Sequence, residues 1–294
     1  MRLSRFGVKM AEWPAVWDGV ARFLPVYTDS TPFYGIREEL MAIAAGRQSQ
    51  SQRRLAVTAM AIALCGCGPQ PVSVEEAYRR AVQDAAIAEA SEIATDLVAI
   101  RRDNPQLVWN DAGDRILVAT WKSRQAYEQF LQPYDSTSEN PDYAVWVTTV
   151  PEVRAHCAAW ARQAGVGEVG LDLRLKQYLG LAPAWHYDLF VEFWVEPQRL
   201  FRPCVDPQTD DSSCRLHFDG ETPVVANIPD YRDFYRDLYF RSFRGSDGVP
   251  WTGLGYTYDW GNPDTEVGAS EFILMPGAPY EIKSVTPTAH YCGG

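Results

Sequence analysis

The residues best suited to chemistry lie in one run near the C-terminus, WTGLGYTYDWGNPDTEVGASE, at positions 251–271. Its carboxylates are Asp259, Glu266 and Glu271, and its large aromatic side chains are Trp251, Tyr256, Tyr258 and Trp260. Glycosidases use two carboxyl groups, one as the acid and one as the base or nucleophile. Aromatic rings beside carboxylates can also hold sugars, because ring faces stack on C–H groups while carboxylates accept hydrogen bonds from hydroxyls. The run therefore predicts a glycan-binding site or, as an alternative, a glycoside hydrolase.

The same run also has a purely structural interpretation. Between positions 252 and 260 large residues alternate with small or polar ones, and in a strand this places the aromatic side chains on one face. The aromatic residues would then form core, and the glycines would admit a close backbone or a bulge. We favour this structural interpretation over ligand binding by the aromatic face.

Two H-x-D units add histidine to the candidate groups: His186 with Asp188, and His217 with Asp219. In a strand each unit places both side chains on one face, and with Glu192 they would supply a metal site or an acid–base pair. Matches this short arise easily in a chain with 38 acidic residues, so we favour structural histidines. No G-x-S-x-G or P-loop motif occurs, and we expect no metal and no cofactor.

An apolar run of a different kind occupies residues 55–64, LAVTAMAIAL, directly after Arg53 and Arg54. It is too short to cross a bilayer, which needs about 20 apolar residues, but it fits the apolar core of a secretory signal, roughly 7–15 residues. The next residues, LCGC at 64–67, resemble the lipobox of bacterial lipoproteins, in which a Leu, a variable residue and a small residue precede the lipid-bearing Cys. The alternative is a buried helix with core cysteines.

The lipobox resemblance implies a processing scheme and a location. Residues 41–66 are then the signal peptide, Cys67 is the lipidated first residue of the mature protein, and residues 67–72 form a tether. Translation would start at Met41, which makes residues 1–40 an artefact of start-site choice. The implied location is the cell envelope, facing the periplasm and anchored to the membrane through lipid on Cys67. Gly68 favours the outer membrane if the organism has two membranes.

The cysteines after Cys67 are even in number, which in an exported chain predicts disulfides. Three pairings are possible for four cysteines. Cys204 and Cys214 bracket a polar loop that a local bridge would close, which leaves Cys157 to pair with Cys292. A zinc site is the rival interpretation, but no C-x-x-C occurs and we favour the two disulfides.

Composition narrows the classes of partner. The chain has 294 residues, of which 46% are hydrophobic and 13% aromatic, as is typical of a core-forming globular protein. Its formal net charge is −11, and nucleic acid or anionic lipid headgroups require clustered Lys and Arg, so we expect no nucleic-acid partner. The expected partners are the membrane, through the lipid on Cys67, and envelope glycan or protein.

The pattern of elements predicts one disulfide-stapled α+β domain over residues 73–294, with a mainly antiparallel or mixed sheet packed by helices. The alternative is a layered α/β fold. Helices are predicted at 74–101, 123–131, 151–165 and 171–181 and after Asp230. Strands are predicted around a turn at 110–114, at 143–150, at 186–197 as a central strand, and near 252–260, 269–275 and 280–285.

Two hypotheses for activity follow. The first, which we favour, is a lipid-anchored binding or assembly module of the cell envelope without catalysis. The second is a periplasmic glycan-directed hydrolase that uses the carboxylates near 259–271.

Overall fold

The structure is a computed structural model that describes residues 72–163, 167–245 and 248–293. The predicted lipidation site at Cys67, the signal peptide at 41–66, the segment 1–40, most of the tether, and Gly165 all lie outside these described residues. Within the described ranges, every helix is too short or too polar to traverse a bilayer. The residues from Val74 onward belong to one compact unit.

Seven strands form an open sheet in which every pair of neighbours is antiparallel. The strands are β1 (Ile116–Lys122), β2 (Val145–Thr149), β3 (Leu189–Val195), β4 (Leu200–Phe201), β5 (Tyr256–Tyr258), β6 (Val267–Leu274) and β7 (Glu281–Pro287). Their order is β4-β6-β2-β1-β3-β7, and β5 also pairs with β6. This confirms the predicted α+β class with an antiparallel sheet.

Six helices lie in the described part of the chain. They are α1 (Val74–Asp84), α2 (Arg124–Phe130), α3 (Val150–Ala161), α4 (Glu168–Tyr178), α5 (Tyr231–Arg244) and α6 (Thr288–Gly293). The starts of several follow local chemistry visible in the sequence. The Ser123 hydroxyl accepts a hydrogen bond from Ala126 N at 3.1 Å, and Asp230 accepts one from Asp233 N at 3.0 Å, so both residues cap their helices as expected.

Both faces of the sheet are buried, and alternate residues of β1 point to different cores. Ile116 and Val118 belong to a core cluster with Phe193, Phe272 and the segment that contains Val98. The intervening residues face the helices α3, α4 and α6, in the cluster of Leu117, Ala119, Phe190, Cys157, Leu175 and Tyr291. A third cluster joins α5 to the β4–β6 end of the sheet, through Phe201, Phe234, Leu238, Trp251 and Ile273.

The predicted helix over 74–101 is wrong beyond Asp84. A short 3-10 turn follows at Ala90–Glu92, and the chain then runs without regular structure to residue 107. Residues 97–100 are all buried, which one face of a surface helix could not achieve. Their backbone groups bond outside the segment instead, Leu97 N to Ser212 O at 3.0 Å and Val98 N to Ser270 Oγ at 2.9 Å.

The hairpin predicted around 110–114 forms only in part. The turn is present, with Gly113 at φ 70° and the Asn110 side chain accepting hydrogen bonds from Asp114 N and Arg115 N. Its second arm is β1, but the first arm contributes a single bridge, Trp109 to Ile116. All seven residues of β1 pair with residues of β3 instead. Pairing with a strand distant in the sequence therefore takes the place of the predicted local hairpin.

Both predicted disulfides are present, Cys157–Cys292 and Cys204–Cys214. The first joins α3 to α6, and its cysteines are fully buried beside Leu175 and Tyr291. It therefore fixes the C-terminal helix over the sheet. The second closes the loop after β4.

We expect the two disulfides to contribute unequally to stability. Their sequence separations are 135 and 10 residues, and in the chain-entropy model loops of these lengths correspond to about 5 and about 3 kcal/mol. The Cys157→Ala/Cys292→Ala variant should therefore lose about 2 kcal/mol more free energy of unfolding than the Cys204→Ala/Cys214→Ala variant. Urea unfolding of both variants and the parent measures this. Equal losses, or the reverse order, would contradict the assignment of the long bridge as the main covalent restraint.

Candidate ligand-binding cavity

A cavity of about 200 Å³ lies on the helical face of the sheet, between the cluster under α3, α4 and α6 and the cluster under α5. Strands β1, β2 and β6 form its floor, and α5 and the loop after α4 form its walls. The aromatic lining residues are Trp121, Trp146, Trp185, Tyr187, Phe190, Phe234, Trp251 and Tyr258. The interior is therefore mostly aromatic, as is typical of small-molecule sites.

The floor of the cavity follows from the register of the strands. Glu192, Ala119, Thr148 and Glu271 are successive Cα partners across β3, β1, β2 and β6, so they form one row on one face. Ala119 and Thr148 are short, which leaves room above the middle of the row. Glu192 ends the row away from the cavity, where Arg154 Nη2 and Ser284 Oγ donate hydrogen bonds to its carboxylate.

Glu271 is the buried acidic group of the cavity lining. Its side chain is almost fully buried, and burial raises the pKa of its carboxyl group to about 8 despite the opposing effect of the Arg202 charge. Its Oε1 has no hydrogen-bond partner among the described residues. At neutral pH the group is thus mainly a neutral carboxylic acid, able to donate one hydrogen bond and to accept others.

Two other lining residues carry buried polar atoms without a partner in the described part of the chain, Trp251 at Nε1 and Arg241 at Nε. Eight such side-chain atoms occur in the described residues, and three belong to this one cavity. Buried polar groups are normally paired, so their concentration here makes the cavity the candidate site for a polar ligand group. Arg241 also pairs with Asp142 at 2.9 Å, and the exposed Asp142 places that ion pair at the rim.

The structure brings together only part of the predicted run. Glu271, Trp251 and Tyr258 line the cavity, whereas Asp259, Glu266, Tyr256 and Trp260 do not. Tyr256 packs with Leu97 and Leu254, and Trp260 packs with Tyr78 and Ala81, so both are core residues. The run bends because Gly253 and Gly255 have φ of 64° and 81°, and of the strand predicted near 252–260 only Tyr256–Tyr258 forms.

Asp259 is held in a buried ion pair. Arg174 Nη1 and Nη2 bind its two carboxylate oxygens at 2.8 and 2.6 Å, and Gly261 N donates to Oδ1 at 3.1 Å. Arg174 also lies over the ring of Trp160 at 4.3 Å. The carboxylate is 2% exposed and its ion pair with Arg174 ties α4 to the loop after β5, so its role here is structural.

The H-x-D units do not form a common site. His186 Nε2 lies 2.8 Å from Asp188 Oδ1 and the histidine is 80% exposed, while Asp188 Oδ2 accepts a hydrogen bond from Arg124 N at the start of α2. His217 and Asp219 are both exposed. Glu192 is buried in its own ion pair with Arg154.

One group of three potential metal ligands lies close together in the described ranges, Cys204, Asp206 and Cys214. Both sulfur atoms belong to the disulfide, so neither is a free thiolate. Asp206 accepts hydrogen bonds from Arg215 N at 2.8 Å and Arg215 Nε at 3.1 Å. Separately, the run GVGEVG at 165–170 has G-x-G-x-x-G spacing, but its last three residues begin α4 and the preceding regular element is the helix α3, whereas a dinucleotide-binding turn follows a strand.

Sequence reasoning missed most of the cavity. Thr148, Trp185, Phe234 and Arg241 come from four separate segments, and nothing in the spacing joins them. One signal was available for Glu271, because it lies within the apolar strand ASEFIL, where an acidic residue must be buried.

No protein-family model, curated protein or solved structure matches this chain.

We expect stability to fall as the pH rises through neutrality. Burial raises the pKa of Glu271 to about 8 and that of Glu152 to about 7, whereas an unfolded glutamate has a pKa of about 4.3. Between these values the native state binds more protons than the unfolded state, so the free energy of unfolding decreases with increasing pH. Urea unfolding should therefore give lower stability at pH 8.5 than at pH 5.5.

The Glu271→Gln variant isolates the contribution of one group. It cannot ionise, so the decrease between pH 5.5 and pH 8.5 should be smaller than in the parent by about 3 kcal/mol. An unchanged slope in this variant would show that Glu271 is already ionised at pH 5.5 in the folded protein.

Proposed function

We propose that this protein is a non-catalytic binding protein of the bacterial cell envelope, anchored by lipid on Cys67, and that it holds a small ring-shaped ligand in the cavity over Glu271. The observation that carries the proposal is the set of buried, unpartnered polar atoms on Glu271, Trp251 and Arg241 within aromatic walls. Specific small-molecule sites combine apolar surface with a few convergent polar groups in this way.

The size of the cavity supports a ligand of one ring. An apolar protein cavity of about 150 Å³ binds benzene. A cavity of about 200 Å³ therefore has room for a single substituted ring. Trp121 stacks on Tyr187 and on Phe190, with ring centroids 4.7 and 5.5 Å apart, which offers flat apolar surface to such a ring.

The walls are also held in place before any ligand binds. Trp121 Nε1 donates to Thr288 Oγ1 at 2.8 Å, and Tyr258 donates its hydroxyl hydrogen to Asp84 Oδ2 at 2.7 Å. Side chains fixed by such contacts lose little conformational entropy on binding, which favours affinity.

The same residues favour binding over glycoside hydrolysis. Hydrolysis needs two carboxyl groups facing one bond, about 5 to 9.5 Å apart. Of the predicted trio only Glu271 lines the cavity, and Asp259 is bound to Arg174. The other carboxylate on the lining, Asp142, is paired with Arg241 at the rim.

The envelope location rests on two independent features. The LCGC run at 64–67 resembles a lipobox, and the two disulfides suit a compartment in which thiols oxidise. The anchor lies only a few residues before α1, which begins at Val74, so the domain would remain close to the membrane surface.

Filling the cavity should abolish ligand binding. We expect benzyl alcohol, a one-ring probe, to bind the parent protein with a Kd of about 1 mM by isothermal titration calorimetry. The Ala119→Leu variant places extra carbons over the floor and should weaken binding at least tenfold. Ala289→Leu, the same change on an exposed turn of α6, is the matched control and should bind as the parent does. Equal affinity in all three proteins would exclude the cavity as the binding site.

Lipid anchoring should depend on Cys67 alone. In a bacterial host that expresses the chain from Met41, the parent should enter the detergent phase of a Triton X-114 separation, because two or more acyl chains anchor a protein stably. The Cys67→Ser variant should remain in the aqueous phase, and Cys65→Ser should behave as the parent. A parent protein that stays aqueous would contradict the lipobox assignment.

A further inference from the structure

We propose that the cavity selects ligands that present an oxygen acceptor, such as a ring carbonyl or carboxamide, and that it rejects ammonium ligands, with Glu271 donating a hydrogen bond as a neutral acid and Trp251 Nε1 donating a second. The inference rests on the proposed function and names the chemical class of its ligand.

The two proposed donors both lie at the β6 side of the cavity. Trp251 belongs to the same core cluster as Ile273, which is two residues from Glu271 on the same face of β6. Both side chains line the cavity, and both have a buried polar atom without a partner among the described residues. One oxygen with two lone pairs can accept from two donors placed side by side.

The inventory of polar groups favours an acceptor in the ligand. An indole nitrogen donates only, and so does a guanidinium, which here is Arg241 with its free Nε–H. A neutral Glu271 can donate as well. Each of the three side chains with an unpartnered atom can therefore donate to an acceptor oxygen, whereas of these three only Glu271 could accept a hydrogen bond from an ammonium group.

The charges around Glu271 point the same way. Arg202 acts on it from the end of β4, where its guanidinium lies over the Phe272 ring, and Arg241 and Lys122 belong to the lining. Burial lowers the pKa of Lys122 to about 8, so a further positive charge nearby is unfavourable. Glu152 accepts hydrogen bonds from Ser270, the neighbour of Glu271 in β6, and burial raises the pKa of Glu152 to about 7. Asp142 already pairs with Arg241.

The main rival is an aromatic cage for an ammonium ion. Such cages combine several aromatic faces with a carboxylate, and cation–π attraction supplies much of the affinity. Here the carboxyl group of Glu271 would have to ionise while buried. The incoming cation would also face the basic side chains of Arg241 and Lys122 on the lining. Burial raises the pKa of Tyr187 and Tyr258 well above the usual value, so neither tyrosine supplies a second negative charge to balance the cation.

Three probes of similar size test the selectivity by calorimetry at pH 6. They are benzamide, which has an acceptor oxygen, benzylammonium, which has a cation, and toluene, which has neither. We expect benzamide to bind at least tenfold more tightly than benzylammonium and several-fold more tightly than toluene. Preference for benzylammonium, or equal affinity for benzamide and toluene, would overturn the inference and leave the cavity itself as a binding site. Failure of all three probes to bind would instead overturn the proposed function.

Variants then assign the donors. Trp251→Phe keeps a ring and removes the N–H, so it should weaken the binding of benzamide several-fold and leave the binding of toluene almost unchanged. Glu271→Leu should weaken benzamide in the same selective way, whereas Glu271→Gln keeps a neutral donor and should retain affinity. Unchanged benzamide affinity in both Trp251→Phe and Glu271→Leu would overturn the assignment of these donors.

The pH profile separates the role of Glu271 as an acid from a merely structural role. Benzamide affinity of the parent should fall between pH 6 and pH 9.5, as the carboxyl group ionises and ceases to donate. In the Glu271→Gln variant the fall in benzamide affinity should be much smaller. Any fall that remains is then assigned to the loss of the proton from Lys122. The same fall in both proteins would show that Glu271 is not the titrating donor, and the inference would fail.

Discussion

A sheet buried on both faces must cover each face with side chains, and in this chain the helical face is covered by two separate groups of helices. Helices α3, α4 and α6 cover β1 and β3, and α5 covers β6 and β4. The disulfide between Cys157 and Cys292 keeps α6 within the first group. The two groups meet above Ala119 and Thr148, which are too short to fill the space between them. The cavity is thus a consequence of how the helices are distributed over one sheet.

Three buried acidic groups on this side of the molecule show two ways of limiting the cost of burial. Glu192 and Asp259 remain paired with Arg154 and Arg174, and each also accepts a further hydrogen bond. Such pairs offset desolvation by attraction and by hydrogen bonds. Glu271 has no such partner among the described residues, and its raised pKa indicates that it avoids the cost by binding a proton. Two of these carboxyl groups serve the fold, while the third is left free to contact a ligand.

Local signals in the sequence predicted the parts of the fold that local chemistry controls. The caps at Ser123 and Asp230, the strand at 143–150 and both disulfides belong to this class. The helix predicted over 74–101 failed, because the apolar residues at 97–100 meet the sheet and a polar loop more than 100 residues away, contacts that no local pattern encodes. The lining of the cavity could not be predicted for the same reason, because the strand order that aligns Thr148 with Glu271 depends on tertiary contacts.

The aromatic residues of the run at 251–271 therefore have two different places in the fold, and two glycines determine which residue goes where. Gly253 and Gly255 turn the chain, so that Tyr256 and Trp260 enter the core while Trp251 and Tyr258 reach the cavity. At the end of the run, position 271 lies in a strand whose other residues from 269 to 274 are almost all apolar and buried. A leucine there would satisfy the sheet, and the fold gives no reason for an unpaired acid. In our proposal the acid serves recognition of the ligand, which is why we place the specificity of the site on Glu271.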